Sequence, residues 1–270
     1  DKKKYKVLDK TDIVLKSLNM LNFRSIDEKK YIEDYTQIDT TEYLNILLNL
    51  FSDNFNKKYK FTNLMKNIKY DEEITVSCLY KEKSGREKNI THKTSNYFID
   101  LPINTTTDET TIIKLIKKYQ EIEILSDNNI ERCYKTKDFA GDKGPVTNKI
   151  LIKNFSNNLI INIKRFINNG NNIYVKNDKK VIPEKKLDFS KIDNIHPSTS
   201  VFKLQGCIVH VDSKNLNAGH YIYLVFDKNG DPDKIIDDKK VENHKDSKYK
   251  NQYLNNGYMY YYRREKPITT

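Results

Sequence analysis

The sequence predicts an α+β domain, and three observations carry that expectation. Apolar residues at helical spacing dominate about the first 60 residues. From about 64 to 153 they give way to short alternating runs, and the last 115 or so residues read as strands separated by turn signals. Helices first, then mixed material, then a run of antiparallel strands is the order of a helical end packed on a sheet.

Element by element, Thr11 precedes Ile13, Val14, Leu15, Leu18 and Leu21, which fits one helix. A second begins at Asp39, a capping residue with Glu42 three positions on, and carries a stripe of Tyr43, Leu47, Leu50 and Phe51 with Leu44 and Leu48 beside it. Strands are expected at 74–80, 97–101 and 150–153. Between them a third helix follows Thr110-Thr111 with the stripe Ile112, Leu115, Ile116 and Tyr119. Further strands are expected over Leu159–Phe166, Phe202–Val211, Tyr221–Phe226 and Gly257–Tyr262, with Asn-Gly, Asn-Gly-Asp-Pro and Pro signals between them. No internal repeat is visible.

Composition narrows the class. Lys+Arg 48 against Asp+Glu 37 gives +11, but 37% hydrophobic content with 19 Tyr and 11 Phe exceeds that of a disordered basic tail. Lysines are scattered among Asp, Glu and Asn-rich stretches such as Asn168-Asn169-Gly170-Asn171-Asn172, and no recognition-helix, zinc-finger or RNP-type pattern accompanies them. No nucleic-acid partner is expected. No apolar run approaches the roughly 18 residues of a membrane helix, so a soluble chain without a membrane partner is expected. Three distant cysteines at 78, 133 and 207 do not make a disulfide framework and suit a reducing, intracellular compartment, cytoplasmic or nuclear. The chain begins with Asp1 rather than methionine, which leads to the expectation that it belongs to a longer protein.

Among the five histidines His220 stands out, in Asn217-Ala218-Gly219-His220-Tyr221 at the head of a strong strand. Seventeen residues later, across the Asn229-Gly230-Asp231-Pro232 hairpin, comes Ile235-Ile236-Asp237-Asp238. Adjacent antiparallel strands can set a carboxylate beside the imidazole, the base-and-orienter half of a nucleophilic triad. By itself this pattern is also that of an ordinary surface hydrogen bond. Cys78, Cys133, His210 and Asp212 are metal-ligand types, but none forms a close pair such as C-x-x-C, and no metal is expected. Cys207, in Gln205-Gly206-Cys207-Ile208-Val209, reads as a buried strand residue, and no Gly-rich phosphate loop is present.

Taken in order, these segments resemble the ubiquitin-specific protease family of papain-like cysteine deubiquitinases. Gln37-Ile38-Asp39-Thr40-Thr41-Glu42-Tyr43-Leu44 resembles its Q-Q-D-A-x-E-F-L helix start, and Asn158 through Phe166 its L-x-x-x-L-K-R-F strand. Phe202-Lys203-Leu204 through Val209-His210 resembles the Y-x-L-x-x-x-x-x-H strand. Gly219-His220-Tyr221 is similar to the histidine box, Asp237-Asp238 followed by Val241 to D/N-D-x-x-V, and Gly257 through Arg263 to the terminal A-Y-x-L-x-Y strand.

The resemblance implies a thumb–palm–fingers fold with an antiparallel palm sheet: residues 1–63 thumb, 64–153 fingers, 154–265 palm. It implies ubiquitin or a ubiquitin-like protein and its conjugates as partner, His220 as catalytic base, Asp237 as its orienter and Asp238 as an acidic neighbour. Asp39, Gly219 and Tyr221 are the implied contacts for the ubiquitin tail. The family's zinc ribbon needs two C-x-x-C pairs, and only the first member of each, Cys78 and Cys133, is present, so no cofactor is expected. The largest departure is the nucleophile: nothing in residues 1–36 resembles the family's G-N-T-C-Y-M-N box. Either that box precedes Asp1, or the protein is a catalytically inactive ubiquitin-binding scaffold.

Overall fold

The computed structural model describes residues 40, 41, 44, 45, 48, 68–81, 87–125, 146–168, 174–192, 200–214 and 219–266, with the backbone alone at 78–81, 87–88 and 168. The chain divides into two compact units, Asp1–Met65 and Lys66–Thr270. In the first, the described positions 40, 41, 44, 45 and 48 are helical, and Leu48 is buried. The expected helix over 13–21 and the cap at Asp39 lie outside the described residues.

In the second unit, β1 (Tyr70–Lys81), β2 (Glu87–Asn96), β5 (Glu123–Leu125) and β6 (Val146–Phe155) form a four-stranded antiparallel sheet in the order β2-β1-β6-β5. A buried carboxylate anchors its base. Glu72 Oε1 accepts from the Tyr70 hydroxyl (2.8 Å) and the Tyr119 hydroxyl (2.9 Å), and Oε2 accepts from Asn96 Nδ2 (3.0 Å). Burial, reinforced by Glu72, drives both phenols well above their ordinary pKa, so they remain donors.

The larger sheet holds β3 (Phe98–Pro102), β7 (Asn158–Lys164), β11 (Lys186–Asp188), β12 (Val201–Val211), β13 (His220–Phe226), β14 (Pro232–Asp237), β15 (Lys240–Asn243) and β16 (Gly257–Arg264). Its order is β15-β14-β13-β12-β16-β7-β3, with β11 also pairing to β12. Every pairing is antiparallel except that of β3 with β7. Alternation sorts the residues: Leu204, Val209, Ile222, Leu224, Ile235, Tyr260, Tyr262, Leu159 and Ile161 face one core, each at most 3% exposed. Short strands β4 (Glu109–Thr111) and β10 (Lys180–Ile182) pair in parallel, and β8 (Phe166–Asn168) pairs with β9 (Tyr174–Lys176) antiparallel.

Helix α1 (Ile112–Tyr119) closes part of the core. Thr111 caps it by accepting from Lys114 N at 3.4 Å, Ile112, Leu115 and Ile116 are buried, and Lys117 and Lys118 sit favourably in the last turn. A short helix, α2 (Gln252–Asn256), leads directly into β16. No helix among the described residues is long and apolar enough to cross a membrane.

Candidate active site

The hairpin joining β13 and β14 sets the register of the site. Asp227 Oδ1 accepts from the backbone N–H of Asn229 (2.8 Å) and of Asp231 (2.9 Å), and Gly230 takes φ 77°, a conformation glycine adopts without strain. These bonds, led by that from Asp231, hold the Asp227 carboxyl below its ordinary pKa. The ladder runs Val225↔Lys234, Leu224↔Ile235 and Tyr223↔Ile236. Continued by one pair it sets Asp237 opposite Ile222, and His220 lies two residues along on that same face. A diagonal neighbour of this kind is within side-chain reach.

The two side chains meet. His220 Nε2 lies 2.5 Å from Asp237 Oδ1, with the side chains 33% and 25% exposed. A carboxylate only accepts, so the pair places the ring proton on Nε2 and leaves Nδ1 to exchange protons with a reacting group. Partial exposure keeps the pair reachable from solvent. Asp238 follows at φ 51° in the turn to β15, and one ligand atom from each of His220, Asp237 and Asp238 lies within 4.8 Å of the others. The second carboxylate is exposed and adds negative charge beside the imidazole.

Gly219, immediately before His220, has φ 117°. A Cβ there would lie 2.5 Å from His210 Nε2 and 2.8 Å from the Val211 carbonyl oxygen, so glycine is required by both conformation and space. Tyr221 is half-buried, its ring 4.9 Å from that of His210 and 6.0 Å from that of Tyr258. Asp39 lies outside the described residues.

Cys207 is fully buried in the core, and burial pushes its thiol far up from the ordinary range, which leaves it protonated and inert. The backbone of Cys78 belongs to β1, while its side chain and all of Cys133 lie outside the described residues. His210 is completely buried and Asp212 accepts from the Tyr249 hydroxyl at 3.1 Å.

Two residues to which the sequence reading gave no role support the site: Arg165, which lies within the K-R-F strand motif, and Lys176, which no motif marks. Arg165, just after β7, is fully buried and donates to the carbonyls of Gly257 (2.6 Å), Lys179 (2.8 Å), Asn177 (3.0 Å) and Leu254 (3.4 Å). It ties the end of β7 to α2 and to the start of β16. Lys176, at the end of β9, donates to the His210 carbonyl at 2.7 Å. A cavity of about 560 Å3, lined among others by Lys176, Asp178, Asp212, Lys214 and Asn256, opens beside these residues.

A family model described as ubiquitin carboxyl-terminal hydrolase matches residues 4–262. No curated protein sequence matches the chain. Among solved structures the chain is similar to the SAGA DUB module of Ubp8, Sgf11, Sus1 and Sgf73 bound to monoubiquitin, with 16% identity, TM-score 0.67, and 90% of this chain and 52% of that chain covered. It is likewise similar to the yeast SAGA DUB module carrying a mutant Sgf73 (16%, 0.65, 85% and 51%) and to the module bound to ubiquitin aldehyde (16%, 0.65, 88% and 52%). The chain spans about half the length of these solved chains. The α+β, papain-like fold expected from the motifs is the fold of these neighbours.

Proposed function

Because the chain belongs to the ubiquitin carboxyl-terminal hydrolase family, we propose that it is part of a cysteine-type deubiquitinase domain that hydrolyses the bond after the C-terminal glycine of ubiquitin. The observation that carries this reading is the 2.5 Å contact of His220 Nε2 with Asp237 Oδ1 at the head of β13. A cysteine supplied from outside residues 1–270 is the nucleophile: its thiolate attacks the glycine carbonyl carbon. The protonated Nδ1 of His220 gives its proton to the leaving amine as the C–N bond breaks, which leaves a thioester. Water then attacks the thioester, Nδ1 takes the water's proton, and the thiolate departs. Asp237 orients the ring and stabilises the imidazolium, which is spent in the first half and restored in the second. Gly219 and Tyr221, and by its own motif Asp39, are each assigned as contacts of the ubiquitin tail.

Residues 1–63, 64–153 and 154–265 are assigned to thumb, fingers and palm. On that division β3 and α1 reach out of the finger span into the larger sheet and its core. The partner is ubiquitin or a ubiquitin-like protein with its conjugates, rather than nucleic acid or membrane, in an intracellular setting.

A second reading has its own observation: the chain's three cysteines are Cys78, Cys133 and Cys207, and none opens a helix ahead of Asp39. On this reading the protein is an inactive scaffold that grips ubiquitin. Incubation with an electrophilic ubiquitin-tail probe separates the two. The 270-residue chain should give no mass shift, and the same chain joined to the natural sequence preceding Asp1 should label at one upstream cysteine. Labelling at Cys207 would overturn the external nucleophile. An extended chain that binds ubiquitin without labelling would establish the scaffold.

A further inference from the structure

We propose that Lys176 is a positioning residue for His220, acting through His210 and Gly219. Its ammonium group reaches two acceptors of one residue, the His210 carbonyl at 2.7 Å and His210 Nδ1 at 3.3 Å. An ammonium has only donors, so Nδ1 contributes its lone pair, and the proton of His210 is placed on Nε2. That edge of the ring faces Gly219, since a Cβ on Gly219 would meet Nε2 at 2.5 Å and Cε1 at 2.8 Å. The other sides of the ring are held by Phe166, at 5.4 Å and 81°, and by Tyr221, at 4.9 Å. His210 is 0% exposed, so its ring has no room to swing, and Lys176, 6% exposed, is held against it by the two contacts. The imidazole that meets Asp237 belongs to the residue that follows Gly219. A shift of the His210 ring therefore moves the backbone from which that imidazole projects.

A purely structural role fits the position poorly. Burial, with the nearby Arg165 guanidinium, lowers the Lys176 pKa to about 8, so a cation there costs stability that an unbranched apolar side chain would not. What the ammonium supplies and methionine cannot is the two-point hold on His210. Asp178 partly offsets the charge, and it is itself paired with Lys214 at 3.5 Å.

The proposal rests on reading His220–Asp237 as the catalytic half-site, but its test needs neither a nucleophile nor ubiquitin. Failure of the proposed activity would leave the coupling standing, and loss of the coupling would leave the activity standing. Ring 15N–1H correlation spectra of the histidine-labelled 270-residue chain at neutral pH report the tautomer of each histidine. In the wild type, His220 should be the Nε2–H tautomer. In Lys176→Met its tautomer ratio should fall roughly tenfold, within the usual range of couplings between sites, while His244 keeps its wild-type pattern. Gly219→Ala, which presses on the same His210 edge from the other side, should move the same His220 signals. Lys176→Gln takes the place of the methionine variant if that one does not fold. Folded variants at both positions with a wild-type His220 pattern would overturn the proposal. So would a variant that changes His220 and His244 alike, because that is general loosening.

Discussion

The buried amine of Lys176 has a consequence that stability measurements read directly. Its pKa falls from 10.5 to about 8 on folding, so between those values the unfolded chain binds more protons than the folded one, and stability rises with pH. Below about 8 the amine is charged in both states and the full cost is present. Urea unfolding of the wild type and Lys176→Met at pH 7, 9 and 10 should show the difference moving in favour of the wild type as pH rises. A difference independent of pH would place the amine in solvent. The paired side chains lead to a second expectation, in a chain that carries its nucleophile. His220→Ala should lower kcat on the order of 10³-fold or more, because the proton carrier is gone. Asp237→Asn should cost less, since the amide oxygen still accepts from Nε2–H and keeps the ring oriented. Equal losses would mean that charge rather than orientation is what Asp237 supplies. That the His220 and Asp237 side chains would meet was legible because turn residues and alternation sit around them. Lys176 was not: it is one among 48 basic residues, and nothing in Tyr174-Val175-Lys176 marks which of the three is buried.

At the scale of elements, Arg165 is the joint on which β7, α2 and β16 meet. Its guanidinium donates to four backbone carbonyls, at Gly257, Lys179, Asn177 and Leu254. Arg165→Met should cost about 3 to 5 kcal/mol, because carbonyls at four positions lose a donor and each one left unsatisfied costs roughly 1 to 3 kcal/mol. Arg165→Lys should recover little, because a single ammonium cannot span the fork. Denaturant midpoints of the two variants test this, and a loss below about 1 kcal/mol for methionine, the size of one ordinary hydrogen bond, would remove Arg165 from the joint. Elements with a strong apolar period were legible from sequence: α1 follows its expected stripe, and β12, β13 and β16 fall where alternation put them. β2 was not, because Glu87–Asn96 is polar and charged and is strand by virtue of its ladder to β1 rather than by burial. The parallel pairing of β3 with β7 was hidden for a related reason, since register between distant segments leaves no local period.

Across the whole molecule the order of helices, mixed segment and strands was enough for the fold class, because an apolar sheet face must be covered and few layer arrangements do so. What order alone did not reveal is how the four-stranded sheet is held where the resemblance calls for zinc. β1 supplies an answer: it is 12 residues long, and its ladders run from Tyr70↔Asn96 to Lys81↔Glu87 on one side and from Tyr70↔Phe155 to Cys78↔Val146 on the other. At its base the Glu72 carboxylate gathers two tyrosine hydroxyls and an asparagine amide. A structural zinc site takes four ligands, and folding that depends on it is lost on chelation. Cys78 and Cys133, 55 positions apart with no second cysteine near either, offer half of such a shell at most. The purified chain is therefore expected to carry no stoichiometric zinc by elemental analysis, and its thermal midpoint should not move when EDTA is added. One zinc per chain, with a midpoint that collapses on chelation, would overturn this. His92 in β2 would then be the first ligand to replace. Glu72→Gln should weaken the same sheet whether or not metal is present, because it removes the charge that the buried hydroxyls are aimed at.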